Sequence, residues 1–281
     1  MSKIEIKKYD ELYSETIAEN TDKACLEKYN EFSSDDINLI FFDGVLAGWM
    51  RLNVPETSVY SPLIFIYVFN DFRRQGIGTE AYRTAEKKLS EAGCKWWTSY
   101  PPSDASDKFI LSVGFDYVNT NYYMEHDGTL VDLNEECIRK CTLSDYPEAL
   151  DIWDREYTDM HNRLGMKKKT TIEYTDEEKQ IVYGDFCSNI DNYFVIEVEN
   201  KIVGMGALFF DGTGIGALAV DAENKGRGYG TRLASFLTNE SIRRGCKYPC
   251  LFCEEGNDDA MHIYKKIGYK VISSESGGIR S

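Results

Sequence analysis

No stretch of about 18 consecutive apolar residues occurs anywhere in the chain, which excludes a helical membrane span. Low-complexity tracts and Gly/Ser linkers are absent, and only 6 of 281 residues are proline, so neither half reads as disordered. Met1 to Tyr9 alternates as Lys-Ile-Glu-Ile-Lys-Lys and lacks the long apolar centre of a signal peptide. A cytoplasmic chain is therefore expected. Basic charge is also short. Lys and Arg number 32 against 47 Asp and Glu, a net charge of −15. Such a surface repels phosphate backbones, so neither nucleic acid nor membrane is an expected partner. It tolerates a cationic substrate such as an amine.

What is present is enough apolar material, 42% of the residues, for two cores. Two domains of about 130–150 residues are the natural division of this length. Eight cysteines include Cys250-Leu-Phe-Cys253 and a Cys137/Cys141 pair. The first pair sits in an apparent buried strand, where residues three apart face opposite ways and cannot share an ion. Reduced thiols and no metal are expected.

Laid against itself, the chain repeats. Gly76-Ile77-Gly78-Thr79 returns as Gly228-Tyr229-Gly230-Thr231, and Gly93-Cys94-Lys95 as Gly245-Cys246-Lys247, both displaced by 152 residues. Val113-Gly114-Phe115 returns as Ile267-Gly268-Tyr269 at 154, and Leu46-Ala47-Gly48 as Ile202-Val203-Gly204 at 156. Ile6-Lys7-Lys8 pairs with Ile138-Arg139-Lys140 at only 132, so about 24 residues were gained between roughly Trp153 and Phe194. The two domains are expected at residues 1–130 and 135–281, each α+β with a mostly antiparallel central sheet flanked by helices.

The first copy opens with a strand and helical material, then a hairpin over Ile37–Phe42 and Val45–Leu52 that turns at Asp43-Gly44. An apolar run, Leu63–Phe69, leads into a glycine loop and a helix with Ala81, Ala85, Leu89 and Ala92 on one face, stopped by Gly93. A last strand pair is expected over Phe115–Val118 and Asn121–Glu125. The second copy repeats this with a helix from Ser144 as N-cap, strands over Tyr193–Glu199, Ile202–Phe210 and Gly214–Val220, and a helix over Thr231–Arg244. Only 13 residues follow Gly268, too few for a full closing hairpin.

The loops read Val68-Phe69-Asn70-Asp71-Phe72-Arg73-Arg74-Gln75-Gly76-Ile77-Gly78 and Val220-Asp221-Ala222-Glu223-Asn224-Lys225-Gly226-Arg227-Gly228-Tyr229-Gly230. Each joins a strand to a helix start, where backbone N–H groups and the macrodipole favour an anion such as a pyrophosphate. Glycine lets the backbone come close to a ligand, although a glycine turn can equally be only a turn. Neither loop ends in the Gly-Lys-Ser/Thr of a P-loop, and neither has dinucleotide-fold GxGxxG spacing.

Arg73-Arg74-Gln75-Gly76-Ile77-Gly78 and Lys225-Gly226-Arg227-Gly228-Tyr229-Gly230 resemble the Q/R-x-x-G-x-G/A signature of the GNAT acetyltransferases, as does the element order of both halves. The resemblance implies tandem GNAT-like domains that use acetyl-CoA. It implies that the loop amides, through Thr79 and Thr231, hold the coenzyme pyrophosphate, and that the strand ends at Val68 and Val220 pair with the pantetheine arm. It further implies that Asn257 contacts that arm and that Tyr264, seven residues on, protonates the departing thiolate. The first copy has Ser103 and Ile110 at those positions, and isoleucine donates no proton. The second domain is accordingly expected to be catalytic and the first structural or regulatory.

Glu254 and Glu255 are the candidate bases for the attacking ammonium, with a base acting through water as the alternative. Tyr264 can also be read as a packing residue, and His262 as an exposed helix residue. Backbone N–H groups at a bulge in Ala217–Val220 are expected to hold the oxyanion. The resemblance leads to direct acetyl transfer from acetyl-CoA to a primary amine of a small molecule. An acyl-CoA sensor or scaffold without turnover, a longer acyl donor, and a protein amine as acceptor stay open beside it.

Overall fold

The computed structural model describes residues 3–54, 59, 62–94, 97–99, 104–115, 117–133, 136–165, 174–209 and 211–280. These form two compact units, Met1–Val118 with Ser276–Ser281, and Asn119–Glu275. The division falls at 118, earlier than the 130–135 expected from the repeat.

In the first unit, β1 (Ile4–Lys8), α1 (Ser14–Asn20), α2 (Lys23–Glu31), β2 (Ile37–Phe42), β3 (Val45–Leu52) and β4 (Ile64–Val68) precede the glycine loop. α3 (Ile77–Glu91), β5 (Trp97–Ser99) and α4 (Asp104–Ser112) follow it. The strands pair antiparallel in the order β1-β2-β3-β4. Alternate residues bury both faces. Leu39, Phe41, Trp49, Phe65 and Tyr67 pack with Ile17 and Cys25 of α1 and α2. Ile40, Met50 and Ile64 pack with Ala81, Ala85 and Leu89 of α3. The hairpin turns where expected, with Asp43 at φ 49° and Gly44 at φ 83°, both left-handed as a two-residue turn requires.

The second unit contains β6 (Tyr117–Glu125, from Asn119 onward), β7 (Ile138–Lys140), α5 (Tyr146–Arg163), α6 (Asp176–Ser188), β8 (Tyr193–Val198) and β9 (Lys201–Leu208). Then come β10 (Gly214–Val220), α7 (Tyr229–Arg243), β11 (Cys250–Glu254), α8 (Asp258–Lys266) and β12 (Lys270–Arg280, to Glu275 in this unit). Its sheet order is β12-β6-β11-β10-β9-β8-β7. Ser144 is not the N-cap of α5: it lies in a 3-10 turn, Leu143–Asp145, that leads into the helix and is itself capped at Thr142 by a Thr142/Asp145 capping box. Its hairpin between β8 and β9 turns at Glu199 and Asn200, again both at positive φ.

Two expectations change here. Residues 117–125 form one continuous strand, not a hairpin, because none of Asn119, Thr120 or Asn121 takes the left-handed backbone of a tight turn. Asn121–Glu125 instead pairs antiparallel with β11. Correspondingly, Gly278, Ile279 and Arg280 pair with Ser99, Thr98 and Trp97 in the first unit. Each unit is thus completed by a strand from the other copy of the repeat.

The repeated glycines share one cause. A Cβ on Gly48 would lie 2.2 Å from the Tyr67 carbonyl oxygen, and one on Gly204 2.8 Å from that of Ala219. Both sit opposite the strand-end valine, at Gly48↔Val68 and Gly204↔Val220. The added length of the second copy goes largely into its helices. α5 and α6 have 18 and 13 residues, against 7 and 9 for α1 and α2.

The tightest backbone approach is at Gly214, where a Cβ would lie 1.8 Å from the Cys250 oxygen. Gly214→Ala is expected to cost about 3 kcal/mol through backbone displacement, read as a lower urea midpoint, with the exposed mid-helix change Gly184→Ala, expected to raise the midpoint slightly, as the control.

Candidate functional site

β10 and β11 run parallel and share only the pairs Gly214↔Cys250 and Ile215↔Leu251 before they part. On its other side β10 keeps its antiparallel pairing with β9, with a bulge between Ile215 and Ala217. The Asp221 N–H donates to the Val203 oxygen at 3.0 Å. In antiparallel alternation this turns the peptide groups of Ala217 and Ala219 toward β9, and those of Leu218 and Val220 into the gap. Among the described residues these gap-facing main-chain donors and acceptors have no partner.

The gap leads to the loop before α7. Lys225 is extended, Gly226 has φ 77° and Gly228, the helix N-cap, φ 83°. The first copy repeats this backbone with Arg73 extended, Arg74 at φ 64° and Gly76 at φ 80°. Alternating left-handed residues turn successive N–H groups inward as an anion-binding nest, at the positive end of a helix dipole. No side chain caps either helix, and the amides of Gly226 to Thr231 and of Arg74 to Thr79 have no protein acceptor among the described residues.

The cationic residues of the loops are placed differently from each other. Lys225 Nζ lies 2.5 Å from Oε2 of Glu156, a carboxylate only 8% exposed. Oε1 of Glu156 accepts the Ala222 N–H at 2.9 Å. Lys225 thus ties the loop to α5, and its charge is already matched. Arg227 is exposed and in no ion pair among the described residues. In the first unit, Arg73 donates through Nε to the Val68 carbonyl at 2.9 Å, so that strand end already has a donor.

Tyr264 lies on α8, 7% exposed, with its ring edge-on to Tyr269 at 6.0 Å. Burial first, then the neighbouring Cys253 and Tyr269, hold its phenol well above the ordinary tyrosine value. The Cys253 thiol is likewise pushed up to about 12 by burial, with Glu254 adding to the shift. Ile110 is a core residue of the first unit, and Ser103 lies outside the described residues. Asn257 heads α8, with a side chain that makes no capping hydrogen bond. Cys250 and Cys253 fall at opposite-facing positions of β11, and His262 is exposed.

The two candidate carboxylates separate. Glu255 accepts from the Tyr122 hydroxyl at 3.2 Å and stays on the surface. Glu254, at the end of β11 and opposite the parting of β10, turns toward α5. There Oε1 lies 3.5 Å from Nε2 of His161. His161 is 2% exposed, and neither ring nitrogen makes a hydrogen bond among the described residues. Buried His126 differs: Nδ1 accepts the Gly128 N–H, so Nε2 carries the proton and donates to the Ile267 carbonyl at 2.9 Å. Sequence reasoning passed over His161. The available signal was the series Trp153, Tyr157, His161 at helical spacing of four, whose rings are in contact at centroid distances of 4.6 and 4.0 Å.

The acetyltransferase (GNAT) family model matches twice, over residues 6–115 and 146–269. An acetyltransferase from Pectobacterium atrosepticum is 34% identical over 92 residues, which is 32% of this chain. The match spans 65% of that relative's length. Among solved structures, a GCN5-related N-acetyltransferase from Sphaerobacter thermophilus is similar with a TM-score of 0.64 at 15% identity, over 99% of this chain and 95% of that one. A tandem GNAT protein from the clavulanic acid biosynthesis pathway is similar at 0.52 and 13%, over 99% and 98%. At these identities the two structures speak for the fold.

Removing the Glu156 anchor tests how the loop is held. In Glu156→Ala, hydrogen exchange at Ala222 to Lys225 is expected to accelerate about 10- to 100-fold, the worth of a charged hydrogen bond, while α3 amides stay unchanged. Equal exchange in both proteins would show the loop to be held by its backbone alone.

Proposed function

The chain belongs to the GNAT acetyltransferase family, and from that premise we propose that its second unit transfers acetyl from acetyl-CoA directly to a primary amine of a small molecule. One observation carries the reading. In the second unit a carboxylate facing a buried histidine stands at the end of β11, where β10 has parted from it, and Tyr264, a buried phenol, lies on the helix that follows that strand.

The loop amides of residues 226–231 suit the pyrophosphate, with Arg227 as the free cation beside them. Val220 and Leu218 offer main-chain partners to the pantetheine amides, and Asn257 a side-chain amide. The Leu218 N–H, just past the bulge, suits the oxygen that gains charge as the thioester carbonyl is attacked. Glu254 takes the proton of the ammonium, directly or through water, and His161 steadies that carboxylate. The amine nitrogen then bonds to the carbonyl carbon, the C–S bond breaks, Tyr264 donates its proton to the leaving thiolate, and the second N–H proton, released as the amide forms, restores the phenol. Holding both reactants in one orientation supplies much of the rate advantage.

The first unit keeps the anion nest, but it has Ile110 where the acid would stand, and Arg73 covers the Val68 carbonyl. For that unit we propose a structural or regulatory role, including acyl-CoA binding without turnover.

Mass spectrometry of acetylated products from a pool of amines tests the assignment. Tyr264→Phe is expected to lower kcat about 10²- to 10⁴-fold with little change in KM for acetyl-CoA. Full activity in that variant would remove Tyr264 as the acid. The acid form of a phenol exists below its pKa, and that of Tyr264 is raised, so wild-type kcat should show no falling limb up to about pH 10. Gly228→Val, at a positive-φ position, should abolish transfer, whereas Gly76→Val should spare it. The reverse pattern would place the chemistry in the first unit.

A further inference from the structure

A cavity of about 330 Å³ opens on the α5–α6 face of the second unit. Tyr146, Leu150 and Trp153 of α5 and Val182 and Phe186 of α6 form its walls. Tyr193, Phe209 and the bulge residues Gly216 and Ala217 form its floor. No charged side chain lines it among the described residues. It has more than twice the volume of a roughly 150 Å³ apolar cavity that accepts benzene. Several walls, among them Leu150, Trp153, Val182 and Phe209, are only half-buried, so the cavity is open to solvent.

Its position relative to the proposed chemistry identifies the occupant. Ala217 belongs to the cavity, and the next residue, Leu218, turns its peptide group into the gap between β10 and β11. One residue of strand, about 3.3 Å, therefore separates the apolar floor from the reacting carbonyl. The coenzyme loop stands at the N-terminus of α7, whose buried face packs Leu233 and Leu237 on the opposite side of the sheet. A second reactant needs its own entry, and the cavity supplies one. From Trp153 the ring series continues through Tyr157 to His161 beside Glu254, a rise of about 12 Å along α5. With no carboxylate in its lining among the described residues, the cavity offers no base to an ammonium. Glu254, along the same helix face, does.

We propose that this cavity holds the apolar end of the acceptor, and that the acceptors are arylalkyl primary amines whose ring enters between α5 and α6 while the amine lies beside the Leu218 peptide group and passes its proton to Glu254 through water. The inference deepens the transferase reading and rests on it for the amine's placement. The wall is peculiar to the second copy. α1 has seven residues, and the part of α5 from Trp153 onward has no counterpart in it.

Titration calorimetry on the CoA-saturated protein compares 2-phenylethylamine with ethanolamine and needs no turnover. Burying the ring is expected to make the first bind about 10- to 100-fold more tightly. Val182→Trp, which fills the cavity from α6, should weaken 2-phenylethylamine about tenfold while acetyl-CoA affinity, the check on folding, holds. Equal affinities for the two amines, or a Val182→Trp variant that binds 2-phenylethylamine normally, would overturn the proposal. So would loss of hexanoyl-CoA binding in that variant with amine binding intact, since the cavity would then serve the acyl chain. If the preference and its loss are observed but no amine is acetylated, the cavity assignment stands and the transferase reading falls.

Discussion

Everything in the second unit's site depends on two strands that begin together and then separate. A parallel pair held at only two positions would ordinarily be a weak edge. Here it is pinned because Gly214 lets the Cys250 carbonyl come closer than any side chain would allow. Beyond that pin, β10 remains bonded to β9 and cannot follow β11, so its outward peptide groups stay unpaired. Unpaired backbone inside a protein is costly unless something else satisfies it. An extended ligand arm with alternating amides is one such partner.

The lengthened α5 supplies the other half of the arrangement. Its Glu156 fixes Lys225 and Ala222, and therefore the start of the loop whose amides face outward. The next residue, Tyr157, carries the ring series, and one turn further on His161 meets Glu254. A buried histidine with both nitrogens unsatisfied is expensive to keep. The contrast with His126, bonded at both nitrogens, marks the cost as local to the site rather than general to this core. Catalytic hydrogen bonds are often long without substrate, and a 3.5 Å separation needs only a small closure to become one.

Much of the fold was legible in the chain because it is local or repeated. Asp43-Gly44 dictates its turn, and the glycine loops announce the left-handed positions. Strand pairing was another matter. Asn121–Glu125 alternates like any hairpin arm, and nothing within it tells that its partner is β11, about 130 residues away. The same holds for Gly278–Arg280 against β5. Lys225 read as a phosphate ligand because its spacing from Gly228 is visible, whereas its partner Glu156 is brought to it only by packing. His161 carried no motif, and its importance comes from what fails to surround it.

The two copies show that the parts of this site are physically separable. The loop conformation is kept in both, even though the first copy must hold Arg74 in the left-handed region, where a non-glycine residue costs about 1–2 kcal/mol. A turn alone could have been made more cheaply with glycine, as Gly226 shows. The geometry of the nest therefore outweighs that penalty in the first unit, although its acid position holds isoleucine. Arg73 meanwhile gives its Nε to the Val68 carbonyl, so any arm entering there must displace an existing hydrogen bond, while Val220 carries no such Nε donor because its counterpart, Lys225, is drawn to Glu156. The two loops share one backbone, and the side chain at a single position decides whether the neighbouring strand edge is open or closed.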